Sequence, residues 1–194
     1  MRLLAAARAG GSGTIRRVLI VLVNGLPGAG KTTLARALGP ALGLPVFVKD
    51  AVKERLADLL PGEVSPEWSR ALGRASIELM WTLLADSAPG AVLESPWLSH
   101  IRHLPIEGLA RAGVAVETTH EVWCDLPLEL ARSRYLERAA GRHPIHRDTS
   151  SDNYARFAAW SRYAEPIGAG TVHRVDTSRP VDVAALAARI RACA

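Results

Sequence analysis

The sequence predicts an α/β domain in which a parallel sheet is flanked by helices. Short aliphatic runs alternate with longer helical patterns, and a glycine-rich phosphate-binding motif follows the first aliphatic run directly. Because parallel strands need crossover connections, strands that alternate with helices favour this class. No repeat and no second zone of composition interrupts the pattern, so we expect one domain over residues 17–194.

Five strands are predicted from short runs of aliphatic and β-branched residues between turn signals. The first is aliphatic throughout its centre, which is typical of a strand buried on both faces. In chain order the predicted strands are 17–23, 46–48, 91–93, 119–124 and 171–175.

The predicted helices are delimited by their start and stop signals. Gly43 ends the first helix, Pro61 and Gly62 close the second, and Ser65 followed by Pro66 opens the third. Asp125 and Pro127 introduce the fifth. In chain order the predicted helices are 31–42, 51–60, 66–86, one ending near 113, 128–140, 154–163 and 181–192.

Charge and composition limit the partners that we expect. The net charge is +5, but four arginines and no acid lie in residues 1–17, so the rest of the chain is nearly neutral. That balance argues against a nucleic acid partner.

The longest aliphatic run, 18–23, is far shorter than the ~20 residues that cross a bilayer, so we expect no membrane partner. The two cysteines are far apart in sequence, which fits a cytoplasmic protein, and residues 1–16 are expected to be a disordered arm.

The motif after the first strand matches G-x-x-x-x-G-K-[ST] completely, and it has the required strand before it and helix after it. In such a loop, glycines let backbone N–H groups face a bound phosphate, and the helix N-terminus adds partial positive charge. Lysine reaches the β- and γ-phosphates, and the following hydroxyl can hold Mg²⁺. The residues expected to bind ATP or GTP here are Gly25, Pro27, Gly28, Ala29, Gly30, Lys31, Thr32 and Thr33.

Two charged residues after the second strand are candidates for the acceptor side. Asp50 stands where strand ends of a parallel sheet face the ligand, and it either serves as general base or caps the helix behind it. Lys53 lies one turn further on and either contacts an anionic group of the substrate or extends to solvent.

The segment after the third strand is the second candidate region. Glu94 ends that strand and is expected to hold Mg²⁺ with Thr32, to contact substrate, or to be an exposed acid. Trp97 and Arg102 follow in an irregular, polar and aromatic stretch, where we expect a pocket for the acceptor.

Arginines recur at every fourth position through Arg134, Arg138 and Arg142, ahead of a polar loop. Like charges at this spacing repel, and a bound polyphosphate would relieve the repulsion. We therefore expect a mobile lid around 134–152 whose arginines bind the nucleotide, the alternative being a solvated surface helix. The turn that includes Thr177, Arg179 and Pro180 either cradles the nucleobase or only caps the last helix.

Together these motifs resemble the P-loop small kinases of the nucleoside-monophosphate-kinase-like group, and most closely the chloramphenicol phosphotransferase and zeta-toxin type. The resemblance extends over residues 17–192, through NGLPGAGKTTLARAL, Lys49-Asp50 with AVKERL, LARSRYLERAAGRHP and VDTSRP. It implies a three-layer fold with strand order 2-3-1-4-5, Asp50 as base, and Arg138 on the nucleotide. The chain departs from the group at Glu94, where Asp is common, and at Lys53, where Arg is frequent.

The function expected from these observations is Mg²⁺-dependent transfer of the γ-phosphoryl group of ATP or GTP to a hydroxyl of a small molecule. Lys31, Asp50 and Arg138 are the expected catalytic residues. We expect the acceptor to be an antibiotic, or else a nucleoside, a nucleotide sugar or a simple metabolite. The alternative is a nucleotide-binding switch protein, although the chain lacks an NKxD-type guanine motif.

Overall fold

The computed structural model describes residues 18–87, 89–139, 141–146 and 153–193. These residues form one five-stranded sheet, in the order β2-β3-β1-β4-β5, with every neighbouring pair parallel. The strands are β1 (Leu19–Asn24), β2 (Val46–Val48), β3 (Gly90–Glu94), β4 (Thr119–Asp125) and β5 (Thr171–Asp176). The expected α/β class and strand order are confirmed. The expected arm, 1–16, and the lid residues 147–152 lie outside the described residues.

Seven α-helices connect and follow the strands in the described residues. They are α1 (Lys31–Leu42), α2 (Lys49–Leu59), α3 (Pro66–Asp86), α4 (His103–Arg111), α5 (Leu128–Glu137), α6 (Asn153–Ser161) and α7 (Val183–Ala192). The helices predicted over 31–42 and 66–86 have these bounds in the structure. Helix α2 begins two residues earlier than expected, and α5 ends three residues earlier, so Arg138 is the C-cap of that helix.

The alternating side chains of β1 divide the core into two layers, one on each face of the sheet. Val21 and Val23 pack with residues of α1, α5 and α7, whereas Ile20 and Leu22 pack with residues of α3 and α4. All four side chains are fully buried. The sheet is therefore covered by helices on both faces, which explains why its central strand is aliphatic throughout.

Parallel pairing brings the carboxyl ends of all five strands to one edge of the sheet. Register pairs Val23 with Glu94 and Val48 with Glu94, so β1, β2 and β3 end side by side. The phosphate-binding motif follows β1, and the first turn of α2 follows β2 directly. This edge is where a ligand binds in open parallel sheets. None of the helices in the described ranges is long and apolar enough to cross a membrane.

Candidate functional site

The loop between β1 and α1 has a positive φ at three glycines, Gly25, Gly28 and Gly30, where a side chain would strain the backbone. Gly28 has a φ of 89°, and a Cβ on it would lie 2.0 Å from the carbonyl oxygen of Ala131 on α5. Gly30 has a φ of 81° and is the N-cap of α1. The loop is thus held against α5 while its end turns into the helix, which leaves the α1 N-terminus facing the cavity beside it.

Lys31, the first residue of α1, lies inside this loop. Its side chain is buried, and Nζ donates a hydrogen bond to the carbonyl oxygen of Leu26 at 2.9 Å. Burial lowers the pKa of Lys31, and the nearby Glu94 carboxylate opposes that shift. The ammonium is thus held within the loop by one carbonyl before any phosphate is bound.

Thr32 and Glu94 meet across the cavity from α1 and the end of β3. The Thr32 hydroxyl donates to Glu94 Oε2 at 3.1 Å, and the Glu94 side chain is buried. Burial raises the pKa of Glu94, while the positive charge of Lys31 acts to lower it. Hydroxyl and carboxylate oxygens are ligands that suit Mg²⁺, and a bound Mg²⁺ would favour the ionised form of the carboxylate. The two residues therefore fit the metal expected from sequence.

Asp50 lies in the first turn of α2, at the opposite side of the same cavity. The N-cap of α2 is Val48, so Asp50 does not cap that helix. Its Oδ1 lies 3.0 Å from Lys49 Nζ, and its Oδ2 lies 3.7 Å from Arg142 Nη2. Burial acts to raise the pKa of Asp50, but Lys49, His146 and Arg142 hold it well below its usual range. With 39% of its side chain exposed, the ionised carboxylate is accessible from the cavity.

Lys53 follows one turn later on α2 and is almost fully buried. Its Nζ donates to the Ser69 hydroxyl on α3 at 2.7 Å, and that hydroxyl donates to the Ile145 carbonyl at 2.9 Å. Burial and the charge of Lys49 lower the pKa of Lys53 to about 8. The side chain does not extend to solvent, because only 6% of the residue is exposed.

The three arginines expected on the nucleotide separate into two groups. Arg138 and Arg142 line the cavity, and the Arg142 guanidinium lies 5.2 Å from the centre of the Tyr135 ring. Arg134 instead donates to the Thr177 carbonyl at 3.0 Å, which joins α5 to the turn after β5. The periodic arginines therefore do not act together, because Arg134 is engaged by the turn after β5 and does not line the cavity.

Residues 141–146 contact α2 through two histidines. His143 Nε2 lies 3.1 Å from Asp58 Oδ1, and His146 Nε2 lies 2.9 Å from Glu54 Oε1. Burial lowers the pKa of His146. Each imidazole thus has its own carboxylate, and Arg142 and His146 of this segment line the cavity.

The cavity itself has a volume of about 400 Å³ and brings together most of the residues expected from sequence. The expected residues that line it are Pro27, Gly28, Gly30, Lys31, Thr32, Thr33, Asp50, Lys53, Glu94, Arg138 and Arg142. Gly25 and Ala29 are in the loop behind it. The cavity thus has a phosphate-binding loop on one side and a carboxylate on the other.

A family model described as an AAA domain matches residues 20–166 of this chain. The chain belongs to the AAA domain family. Among solved structures, this AAA domain is similar to a provisionally named kinase from Chloroflexus aurantiacus. The two are 26% identical with a TM-score of 0.75, over 92% of this chain and 99% of that chain. The expected P-loop kinase fold and the resemblance to the nucleoside-monophosphate-kinase-like group are confirmed.

The chain is also similar to a second solved structure and to a longer mycobacterial protein. Shikimate kinase from Acinetobacter baumannii, solved in complex with shikimate, shares the fold of this AAA domain. It is 16% identical with a TM-score of 0.61, over 91% of this chain and 92% of that chain. An uncharacterised protein of Mycobacterium tuberculosis is 27% identical over 175 residues, which is 84% of this chain and 32% of that protein. The AAA domain thus spans about a third of the length of the curated relatives that it matches.

Several residues expected at the site lie elsewhere in this AAA domain. Trp97 was expected to line the acceptor pocket, but it is fully buried in the core, where its ring lies 6.0 Å from that of Trp81. Trp97 packs in the core layer between the sheet and helices α3 and α4, away from the cavity lining. Arg102 is exposed beyond the cavity lining. The expected nucleobase residues Thr177, Arg179 and Pro180 also lie outside that lining.

A buried polar network supports the loop, and the sequence patterns did not assign it a role. Asn24, the last residue of β1, accepts a hydrogen bond from the Gly25 N–H and donates to the Trp97 carbonyl. It also donates to Glu121 Oε1 on β4 at 2.9 Å. The fully buried Glu121 carboxylate further accepts three backbone N–H groups, those of Ile167, Gly168 and Ala169. Glu121 thus joins the loop entry to the segment before β5.

We expect Glu121→Ala to lower the free energy of unfolding by at least about 3 kcal/mol. Each buried donor left without an acceptor costs roughly 1–3 kcal/mol, and the substitution removes the acceptor of four donors, three of which are buried. Urea denaturation measures the change. Glu117→Ala, at an exposed position just before β4, is the matched control and should alter stability by less than about 0.5 kcal/mol. Equal effects of the two substitutions would show that the network does not stabilise the fold.

Proposed function

We propose that this AAA domain is a kinase that transfers the γ-phosphoryl group of ATP or GTP to a hydroxyl group of a small molecule. One observation carries the proposal: an ionised carboxylate, Asp50, and a complete phosphate-binding loop line the same cavity. A phosphate-binding loop alone fits any nucleotide-binding protein. A carboxylate opposite the loop adds a group that can position a hydroxyl for attack.

The loop side of the cavity binds the nucleotide phosphates. Backbone N–H groups at the α1 N-terminus and the Lys31 ammonium supply positive charge there, and Arg138 adds a guanidinium from the end of α5. Thr32 and Glu94 would hold Mg²⁺, which neutralises phosphate charge when it is bound. The negative charge that develops on the phosphate oxygens during transfer is therefore stabilised by positively charged groups that are already in position.

The carboxylate of Asp50 orients the acceptor and takes its proton. The acceptor oxygen forms a bond to the γ-phosphorus while the bond from that phosphorus to the β–γ bridging oxygen breaks, and the nucleoside diphosphate leaves. The hydroxyl proton passes to Asp50. Because the neighbouring cations hold the pKa of Asp50 low, the carboxylate is ionised at neutral pH and available to accept a hydrogen bond. Its weak basicity fits a proton transfer that comes late, after the P–O bond has begun to form.

Residues 141–146 reduce access of water to the acceptor side. His143 and His146 tie them to α2, and the Ile145 carbonyl accepts the Ser69 hydroxyl from α3. Exclusion of water favours transfer to the bound acceptor over hydrolysis of the nucleotide. The described part of this segment therefore supports a transferase in preference to a nucleotide hydrolase.

The experiment that tests the function is transfer of γ-³²P label from ATP and from GTP, with Mg²⁺, to a panel of hydroxylated compounds. The panel contains hydroxy acids, sugars, nucleosides, nucleotide sugars and antibiotics, and products are separated by thin-layer chromatography. We expect label on one chemical group of the panel, and no label when EDTA removes the metal. Slow release of free phosphate, with no labelled compound, would contradict the kinase and favour the nucleotide-binding switch.

A further inference from the structure

The acceptor side of the cavity has more positive than negative charge among the residues that the structure describes. Its cations are Lys49, Lys53 and Arg142, and its carboxylates are Asp50 and Glu54. Glu54 is engaged by His146 at 2.9 Å, and Asp50 lies between Lys49 and Arg142. Lys53 is therefore the cation of this side that has no carboxylate in direct contact among the described residues, although Asp50 and Glu54 act on it from further away.

Lys53 is an ammonium group buried beside the cavity without a carboxylate partner. No carboxylate of the described residues lies within 4 Å of its Nζ, and its one described hydrogen bond goes to the Ser69 hydroxyl. An ammonium has three donors, and an unpaired buried charge is costly. Ser69 is itself held by the Ile145 carbonyl, so the lysine is fixed in direction by residues from α3 and from 141–146.

We infer that the acceptor carries a carboxylate or a phosphate group besides its hydroxyl, and that the Lys53 ammonium binds this anionic group. The inference rests on the proposed kinase function and names its substrate class. Lys53 lies one helical turn from Asp50 on α2, so both side chains line the cavity from the same helix. One molecule can then place its hydroxyl at Asp50 and its anion at Lys53.

The position of Lys53 also predicts that the KM for an anionic acceptor increases with pH. Lys53, with a pKa near 8, is charged below that pH and loses its charge above it. Carboxylates keep their charge between pH 7 and 9.5, and phosphate monoesters are close to fully ionised there, so the charge of the acceptor stays nearly constant while Lys53 loses its own. We therefore expect the acceptor KM to rise from pH 7 to 9.5. The charged and titratable groups that face Lys53 are Lys49, Asp50, Glu54, Arg142 and His146.

The test compares anionic acceptors with neutral analogues of the same shape. Hydroxy acids are paired with their primary amides, and sugar phosphates with the parent sugars. Lys53→Met is compared with Arg55→Met, which removes an exposed cation from the same helix. Ser69→Ala removes the hydrogen bond of Lys53 but keeps its charge. Transfer of ³²P gives kcat and KM, and titration calorimetry with a non-hydrolysable ATP analogue gives binding of the same compounds.

We expect Lys53→Met to raise the KM for the anionic acceptor about tenfold to a hundredfold, because hydrogen bonds to charged groups contribute roughly 1.5–3 kcal/mol. The KM for ATP should not change, and the rise of the acceptor KM above pH 8 should disappear. Arg55→Met should resemble the wild type, and Ser69→Ala should keep the preference for the anion. A merely structural role of Lys53 would instead affect charged and neutral acceptors equally, which would overturn the inference.

The outcomes separate this inference from the proposed function. Label on neutral acceptors in preference to anionic ones would overturn the anionic substrate class and leave the kinase intact. If no compound is labelled but anions bind to the wild type and not to Lys53→Met, the kinase fails and the anion site stands. If no compound is labelled and no anion binds, both are overturned.

Discussion

Replacement of Lys31 by methionine is expected to lower kcat/KM for phosphoryl transfer by about three orders of magnitude, and not to weaken the fold. Removing one preorganised electrostatic contact to a developing charge costs roughly 10²–10³ in rate, and Lys31 also neutralises bound phosphate. Its side chain is buried, and burial already disfavours its charge. Methionine has a similar length and no charge to desolvate, so we expect equal or higher stability in urea.

A matched control distinguishes the loss of Lys31 from a general loss of positive charge. Arg74→Met removes an exposed cation from α3, away from the cavity lining, and should leave transfer unchanged. Steady-state kinetics with labelled ATP measure both variants. If Lys31→Met retained more than about a tenth of wild-type kcat/KM, the assignment of the loop to phosphate binding would be wrong.

Replacement of Asp50 by asparagine is expected to lower kcat by about 10²–10⁴, the usual range for general acid–base groups. Asparagine has nearly the same shape but cannot take the proton of the acceptor. It also loses the charge that pairs with Lys49 and Arg142, so those cations no longer hold the group in place. Glu63→Gln, in the exposed segment between α2 and α3, makes the same chemical change outside the cavity and should leave kcat unchanged.

The nucleotide side of the cavity could be predicted from sequence because its signals are local. The motif around Lys31 fixes a loop between a strand and a helix within about ten residues, and its glycines are required where the backbone takes a positive φ. Asp50 could be predicted for a similar reason, since it follows a short strand directly. The structure adds that Asp50 lies inside α2, after the Val48 N-cap, and this removes helix capping as its role.

The residues that sequence misplaced depend on contacts with distant parts of the chain. Trp97 follows a strand end as Asp50 does, but it packs on Trp81 of α3, and no local pattern indicates this. Arg142 was expected on the nucleotide, but its guanidinium lies 3.7 Å from the Asp50 carboxylate on α2, a contact that joins distant parts of the chain. In the same way, the hydrogen bond from Arg134 on α5 to the Thr177 carbonyl after β5 joins two elements that are far apart in sequence, so no local pattern predicts it.

The position of Glu121 within a predicted strand was a sequence signal for the buried polar network. A glutamate inside a strand that is expected to be buried needs hydrogen-bond partners for its carboxylate. Its partners come from β1 and from residues 167–169, more than 40 positions away. A charged residue in a buried strand therefore indicates a polar network, although the sequence does not reveal which backbone groups complete it.

The most direct test of the central claim compares phosphoryl transfer with nucleotide binding in one preparation of Asp50→Asn. Rapid-quench assays measure the rate of label transfer to the acceptor, and titration calorimetry measures the Kd for a non-hydrolysable ATP analogue with Mg²⁺. We predict that the transfer rate falls at least a hundredfold while the Kd changes less than about twofold, because Asp50 faces the acceptor. A transfer rate that falls only in proportion to lost nucleotide binding would contradict the account and make Asp50 a structural residue.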